Sequence, residues 1–380
     1  MPEKLFFHIC GFLLYVVLQF EIILPTWESR IPSGRRFFYG YYMVTIYDIA
    51  EATGYSAPTV SKVLNGTGSL SEETRERILK KAKELGYEPN ITARTLTTKK
   101  SNLIGVIYDD TGMNMGFSHP LFSPVLTRFR EKIEAAGYDL IFLSRHFNMS
   151  YYSHANFRLI DGVIIINPAT NTPDDFAEFI KNDLPRVSTN SVFDGICTVI
   201  TENEQGGYEA AEYLVNHGHK KIGYISGPVD GISTAPAERF KGFKSALEKH
   251  QLFDESLYEI SEGWDKESGA QAFVRLIKRR KDITALFVTN DQLAFGIYDY
   301  AKKNGIRIPE DISVIGFDDE IASEYLGLTT FRQSTTEIAD LAAQMMLDQI
   351  EGKQVPPIIR CRPEIVERNS VKTIKGFRLF

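Results

Sequence analysis

The chain has 380 residues, of which 43% are hydrophobic and 24% charged, the profile of an ordinary soluble globular protein with room for two or three domains. A net charge of −6 excludes a chain built throughout to bind nucleic acid. The charge is uneven, however: residues 43–100 carry nine Lys/Arg against seven Asp/Glu, a net +2, residues 1–42 are +1, and residues 101–380 are −9. A mildly basic module on an acidic body suits a DNA reader joined to something else. Cys10, Cys197 and Cys361 are odd in number and widely spaced, with no CxxC. That pattern fits reduced thiols and argues against a disulfide framework or a metal site, and no cofactor is expected.

Residues 5–24 form an apolar run whose length approaches a membrane span. Glu21 interrupts it, Glu3 nearly cancels Lys4, and no small-residue cleavage site follows. Ordered patterning begins abruptly at Thr45. Residues 1–42 are therefore read as an apolar extension ahead of a working start at Met43 in a cytoplasmic protein, with a membrane anchor at residues 5–24 as the alternative.

Three short helices follow. Thr45 can cap the first, with Asp48 in the capping-box position, and Ile46, Ile49 and Ala50 share one face. Gly54 stops it. Ser56 caps the second, Pro58 falls in its first turn where a missing N–H costs nothing, and Val60, Val63 and Leu64 form its inner face before Asn65-Gly66. Ser71 caps the third, Glu72 and Glu73 complement its dipole, and Ile78, Ala82 and Leu85 supply a core face before Gly86. Two helices of about eight residues joined by a short glycine-containing turn have helix-turn-helix geometry, although any small three-helix core would show the same.

The run TIYDIAEATGYSAPTVSKVLN from Thr45 to Asn65 closely resembles the head of the lactose-repressor (LacI/GalR) family. So do Ser71-Glu-Glu-Thr-Arg75, Leu85-Gly-Tyr-Glu-Pro-Asn90 and Ala93-Arg-Thr-Leu96. The resemblance extends from Met43 to about Asn369. It implies that the second helix enters the major groove, with Ala57, Pro58 and Lys62 at the base edges. Lys62 stands where the family often has Arg and lacks its rigid fork, so an altered operator preference is expected. Thr45, Tyr47, Ser56, Thr59, Ser61, Asn65, Thr74 and Tyr87 match positions that contact phosphates, Ser56 and Thr59 serving equally well as caps of their own helix. Residues 90–98 resemble the family's hinge helix, too short to be stable alone. There Asn90, Ala93 and Leu96 would meet the minor groove, with Leu96 as the intercalating wedge unless it is an incidental apolar residue.

Beyond Lys100 the pattern alternates strands and helices. Strands are expected at 103–108, 139–144, 162–167, 221–226, 285–289 and 313–317, and helices at 123–136, 238–250 and 291–304. Continuous apolar strands between helices mean parallel sheets covered on both faces. The fold expected is an all-α helix-turn-helix head plus an α/β body, two-lobed and periplasmic-binding-protein-like (type I), with parallel sheets. The domains read as 43–89 for the head, 90–100 for the hinge and linker, 101–370 for the body and 371–380 for a tail. Within the body, lobe 1 takes about 101–202 and 334–350, and lobe 2 about 203–333 with the C-terminal strand.

Ligands of such sheets bind beyond the carboxyl ends of the strands. The resemblance implies effector contacts from Asp109, His119, Phe122, Asn190, Arg239, Asn290 and Asp318, a set whose planar donor, amides and carboxylates suit the paired hydroxyls of a sugar. Asp109 and Asn290 could instead cap helices, and His119 could be a surface loop residue. Asn190-Ser191 replaces an Asp-Arg pair common in relatives, Glu202-Asn203-Glu204 replaces Asp-Asn-Glu, and the loop 110–118 looks slightly long, which leaves the effector's identity open, purines and nucleosides included. The resemblance further implies a homodimer on near-palindromic double-stranded operator DNA, with cleft closure parting the two hinge segments and weakening DNA binding, or the reverse in some members. A tethered sugar receptor would lack residues 45–98. No P-loop, no G-x-G-x-x-G after a strand, no nucleophile elbow and no metal-spaced cluster supports an enzyme.

Overall fold

In the computed structural model, Thr45 and Asp48 close the start of the first helix, α1 (Ile46–Thr53). The Thr45 N–H donates to Asp48 Oδ2 at 2.8 Å and the Thr45 hydroxyl donates to the same oxygen at 2.7 Å. Gly54, at φ 78°, ends the helix in the left-handed region that only glycine enters freely. Two residues later Ser56 Oγ accepts from the Thr59 N–H at 3.3 Å and starts α2 (Ala57–Leu64). α3 (Glu72–Leu85) begins in the same way from Ser71. Ile49, Val60, Val63, Ile78 and Ala82 are buried together between the three helices. Leu85, expected in this core, is exposed. It sits seven residues after Ile78, at the last helical position.

The structure describes residues 37–38, 41–42, 44–88, 100–109, 113, 115–144, 149–168, 173–229 and 233–374. Ahead of the head, β1 (Phe37–Phe38) and β2 (Tyr41–Tyr42) pair antiparallel. The apolar run 5–24, with Cys10, lies outside the described residues, as do hinge residues Asn90, Ala93 and Leu96. Among the described residues no helix is long and apolar enough to cross a membrane. The chain divides into two units, Met1–Ile91 and Thr92–Phe380.

The second unit holds two parallel sheets. The larger has six strands in the order β13-β7-β6-β5-β3-β4, formed by β3 (Leu103–Tyr108), β4 (Asp139–Phe142), β5 (Gly162–Asn167), β6 (Arg186–Ser188), β7 (Cys197–Thr201) and β13 (Ile358–Cys361). The smaller runs β11-β10-β8-β9, from β8 (Ile222–Ser226), β9 (Tyr258–Ile260), β10 (Ala285–Val288) and β11 (Ser313–Ile315). Successive residues of β5 serve opposite faces: Ile164 and Ile166 pack on α4 (Phe122–Ala135) and α12 (Thr335–Ile350), Val163 and Ile165 on α5 (Tyr151–Phe157) and α6 (Pro173–Ile180). The smaller sheet is sandwiched likewise, by α7 (Asn203–Asn216) and α8 (Ala235–Lys249) on one face and α9 (Lys266–Arg279) and α10 (Asp291–Lys303) on the other. Burial on both faces explains why these strands read as unbroken apolar runs.

The chain passes between the sheets three times: between β7 and α7, between β12 (Thr330–Arg332) and α12, and between β13 and β14 (Glu364–Val366). The C-terminal segment is thus divided. Where one C-terminal strand was expected with the second lobe, β13 pairs with β7 at the edge of the larger sheet, and only β14 pairs with β12. The Glu202 N–H donates to the Cys361 carbonyl at 2.8 Å, tying the first crossing to the third.

Candidate functional site

Two places gather the chemistry. On α2 the buried Val60 and Val63 fix which way the helix faces. Ala57, Pro58, Ser61 and Lys62, spaced i, i+1, i+4 and i+5, share the opposite face, with Pro58 and Lys62 exposed. The polar candidates around it are mostly engaged with their own helices. Ser56 Oγ lies 2.9 Å from Thr59 Oγ1, Ser61 Oγ accepts from Asn65 Nδ2 at 3.3 Å, and Thr74 Oγ1 lies 2.8 Å from Ser71 Oγ. Thr45 is held by Asp48 as described. Tyr87 packs partly against the head core, whereas Tyr47 is 71% exposed. Hydroxyls held in this way keep lone pairs and protons for a second partner at fixed positions, which suits phosphate contacts that set register.

The second place is the gap between the two sheets. In each sheet the chain runs from its first strand to both sides: β3 neighbours β4 and β5, and β8 neighbours β9 and β10. Such switch points open a crevice at the carboxyl ends. A small crevice lies there, lined from the larger sheet's side by Phe122, Thr189 and Asn190, from the smaller's by Asn203 and Arg239, and by Gln333 on the second crossing.

Arg239 is placed by backbone contact. A Cβ on Gly242 would stand 1.8 Å from the Glu204 carbonyl oxygen, and one on Gly207 2.0 Å from that of Arg239. Only a glycine at each position lets α7 and α8 touch there. The approach brings Arg239 Nε to donate to Asn203 Oδ1 at 2.8 Å and Nη1 to donate to the Thr289 carbonyl. The guanidinium lies 3.6 Å from the centre of the Phe317 ring, a cation–π geometry strengthened by burial. Burial pulls the pKa of this buried guanidinium down, and the neighbouring Asp318 carboxylate opposes that shift.

Asp318 accepts from Gln333 Nε2 at 2.6 Å, and Gln333 Oε1 accepts from the Thr201 hydroxyl. Asn203 Nδ2 donates to the Thr201 carbonyl at 3.0 Å. A continuous path therefore runs from Arg239 through Asn203, Thr201 and Gln333 to Asp318, crossing two of the three connections. Burial pushes the Asp318 carboxyl up to about 7 against the pull of Arg239. Asp291 is also pushed up to about 7, by burial and then by Asp318.

Phe122, Asn190 and Arg239, three of the seven residues proposed from the resemblance, line this cavity. The other four do not line it. Asn290 caps α10, its Oδ1 accepting from the Leu293 N–H at 2.9 Å and its Nδ2 donating to the Trp264 carbonyl at 3.2 Å. Asp109 is no helix cap: its side chain accepts from the Tyr151 hydroxyl, and its carbonyl accepts from Asn167 Nδ2 at 3.1 Å. His119 is buried rather than on the surface, stacked on Phe122 at 4.1 Å with Nδ1 facing the Leu121 and Phe122 N–H groups. Asp318 reaches the cavity through Gln333. Thr189 and Gln333 were missed, and Asn203 entered only within the Glu202-Asn203-Glu204 departure, not as a contact. Asn203 begins the helix after a strand, a position that marks such sites. Gln333 had no such signal, because it matters only as a chain crossing.

A helix-turn-helix head joined to a two-sheet binding body defines a class of ligand-responsive DNA-binding regulators. Residues 45–90 match the model of bacterial regulatory proteins, lacI family, and residues 211–371 that of the periplasmic binding protein-like domain. A probable HTH-type transcriptional repressor of Bacillus subtilis, ExuR, is 32% identical over 87% of this chain and 99% of its own. Among solved structures, the Lac repressor dimer bound to operator and the anti-inducer ONPF aligns with a TM-score of 0.73 at 27% identity, over 87% of this chain and 99% of that one. A LacI family regulator of Enterococcus faecium with bound ribose aligns with a TM-score of 0.61 at 27% identity, over 72% and 100%. The chain belongs to the lacI family of bacterial regulatory proteins. It is a sequence-specific DNA-binding transcriptional regulator and not an enzyme.

Proposed function

We propose that the protein is a cytoplasmic homodimeric repressor that reads a near-palindromic operator and whose affinity for it is set by a sugar in the cleft. The carrying observation is the lining of that cavity. Thr189 Oγ1 is buried there with no hydrogen-bond partner among the described residues, an orphan that a ligand hydroxyl would satisfy. Arg239 and the amides of Asn190, Asn203 and Gln333 supply directional groups around the rim, and Phe122 an apolar floor. Paired hydroxyls on a ring with an apolar C–H face answer that set. The ribose held by the E. faecium regulator supports the same chemistry.

The dimer reading rests on α11 (Ile321–Leu326), where Ile321 and Tyr325, one turn apart, are 81% and 84% exposed. An apolar pair so presented suits a self-complementary interface. In each protomer Ala57, Pro58 and Lys62 would read bases of one half-site. Thr45, Tyr47, Ser56, Thr59, Ser61, Asn65, Thr74 and Tyr87 would hold phosphates, and residues 90–100 would be the hinge, with Asn90, Ala93 and Leu96 at the minor groove.

The test is selection of bound duplexes from a random-oligonucleotide pool by the full chain, with and without a panel of monosaccharides. The reading predicts a two-fold symmetric consensus whose retention changes with one of the sugars. An asymmetric consensus, or no consensus at any salt concentration, contradicts it.

A further inference from the structure

The way α2 ends places Lys62. Gly66, at φ 67°, turns the chain left-handed just past the helix. Its N–H donates to the Val63 carbonyl at 3.1 Å, while the Thr67 N–H reaches back to the Lys62 carbonyl at 2.8 Å. This paired closure ends many helices, and an apolar contact onto the residue that accepts the longer-range bond usually accompanies it. Lys62 is that residue here, and the backbone itself comes to lie beside it. Gly68, left-handed at φ 83°, faces the Lys62 stem: a Cβ built on it would stand 3.4 Å from Lys62 Cδ, 3.9 Å from Cγ and 4.0 Å from Cβ.

A lysine on an exposed helix face is rotamer-rich, and its ammonium is a point charge with no fixed fork. A freely swinging ammonium pairs with phosphate as well as with a base edge, and phosphate contacts carry no sequence information. On α2 the Thr67–Gly68 backbone walls one side of the stem along three successive carbons, and the Thr67 bond ties that wall to Lys62 itself. A side chain extending beyond a methyl at position 68 would enter the space the stem occupies. Gly66 is the contrast. It is left-handed too, yet a Cβ there meets nothing within 4 Å.

We infer that Gly68 is a positioning residue for operator specificity: its bare backbone seats the Lys62 stem and so restricts which base edge the ammonium reaches. The inference rests on the base-reading role proposed for Lys62 and adds the element that directs it. Gly68 needs no contact with DNA to act in this way.

The experiment measures gel-shift affinities of the full chain for its selected duplex and for every single-base variant of one half-site. It is repeated on Lys62→Ala, Gly68→Asn, Gly66→Asn and the Lys62→Ala/Gly68→Asn double variant. Asn is used because it accepts the left-handed backbone, so the two glycine variants carry similar backbone cost and differ in what their side chains meet. Lys62→Ala identifies the base position it reads as the one where preference falls about fivefold or more. Gly68→Asn should lower preference at that same position by a similar factor and nowhere else, and Gly66→Asn should leave it unchanged. In the Lys62→Ala background Gly68→Asn should change no preference further. Circular dichroism follows folding of the head, and if Gly68→Asn unfolds it, Gly68→Ser carries the same prediction. Equal loss in Gly66→Asn, a uniform weakening on all duplexes, or an effect that survives in Lys62→Ala overturns the positioning role and leaves the base-reading role standing. If Lys62→Ala alters preference at no position, the base-reading role falls and the positioning role with it.

Discussion

Lys62 and Arg239 carry the same charge under opposite conditions, and replacing each has a different consequence. Lys62 is exposed on the outer face of α2, so Lys62→Ala leaves the fold intact. In gel-shift titrations it weakens operator binding by about 1–3 kcal/mol and relaxes preference at one position of each half-site. Arg239 is buried between Asn203, Thr289 and Phe317. Its truncation leaves buried acceptors unpaired, at about 1–3 kcal/mol each, and removes the cation that opposes the rise of the Asp318 carboxyl. His219 supplies a pH signature. Its ring nitrogens lie 3.0 Å from Thr284 Oγ1 and from the Lys372 carbonyl, and burial lowers its pKa from 6.5 to about 4. Between those values the unfolded chain binds the extra proton, so this contribution is lost as pH falls from 6.5 towards 4. Asp291 and Asp318, raised from 3.8 to about 7, act in the opposite sense, their contribution fading as pH rises through that window. Urea unfolding across pH 4.5–7, on the order of these pKa values, should show His219→Gln more acid-tolerant and Asp291→Asn more alkali-tolerant than the parent.

Gly207 and Gly242 let two helices touch, and with them Arg239 meets Asn203. Gly242→Ala forces α7 and α8 apart, because the added methyl would overlap the Glu204 carbonyl. About 1–3 kcal/mol of stability should be lost, together with most of the ligand affinity, read by calorimetry. Nearby, Arg360 of β13 holds Glu238 of α8 through two hydrogen bonds of 2.8 and 3.1 Å, joining the two sheets beside the cleft. Glu238→Gln weakens this pairing and should change ligand affinity without altering the thermal midpoint by more than a few degrees. Elements with strong local signals were legible in the sequence. Leu103–Tyr108 and Gly162–Asn167 fall where the apolar runs placed them, and the capped head helices start at Thr45, Ser56 and Ser71. The strands Arg186–Ser188 and Tyr258–Ile260 went unread because three residues establish no period. The division of the C-terminal segment between two sheets is set by pairing partners distant in sequence, which no local pattern encodes. The same reason hid Gln333, whereas Arg239 and Phe122 were reached through motif resemblance.

At the scale of the whole molecule, a small helical head with one cluster of buried side chains is joined to a body with extensive cores on both faces of two sheets. The head has little stability to spare, so Ile78→Ala, about 2–5 kcal/mol, should abolish DNA binding and leave ligand binding by the body unchanged. The body's three crossings are bonded to one another through Thr201, Gln333 and Glu202, and the cleft lies against them. Ligand occupancy is expected to set the relative position of the two sheets, and operator affinity to follow it. Linkage makes this coupling reciprocal: the factor by which sugar changes operator affinity must equal the factor by which operator changes sugar affinity. The direct measurement is sugar affinity of the full chain with and without saturating operator duplex, set against operator affinity with and without saturating sugar. Equal factors, about 5-fold or more, are the predicted result. A sugar affinity indifferent to operator would rule out control of DNA binding from the cleft.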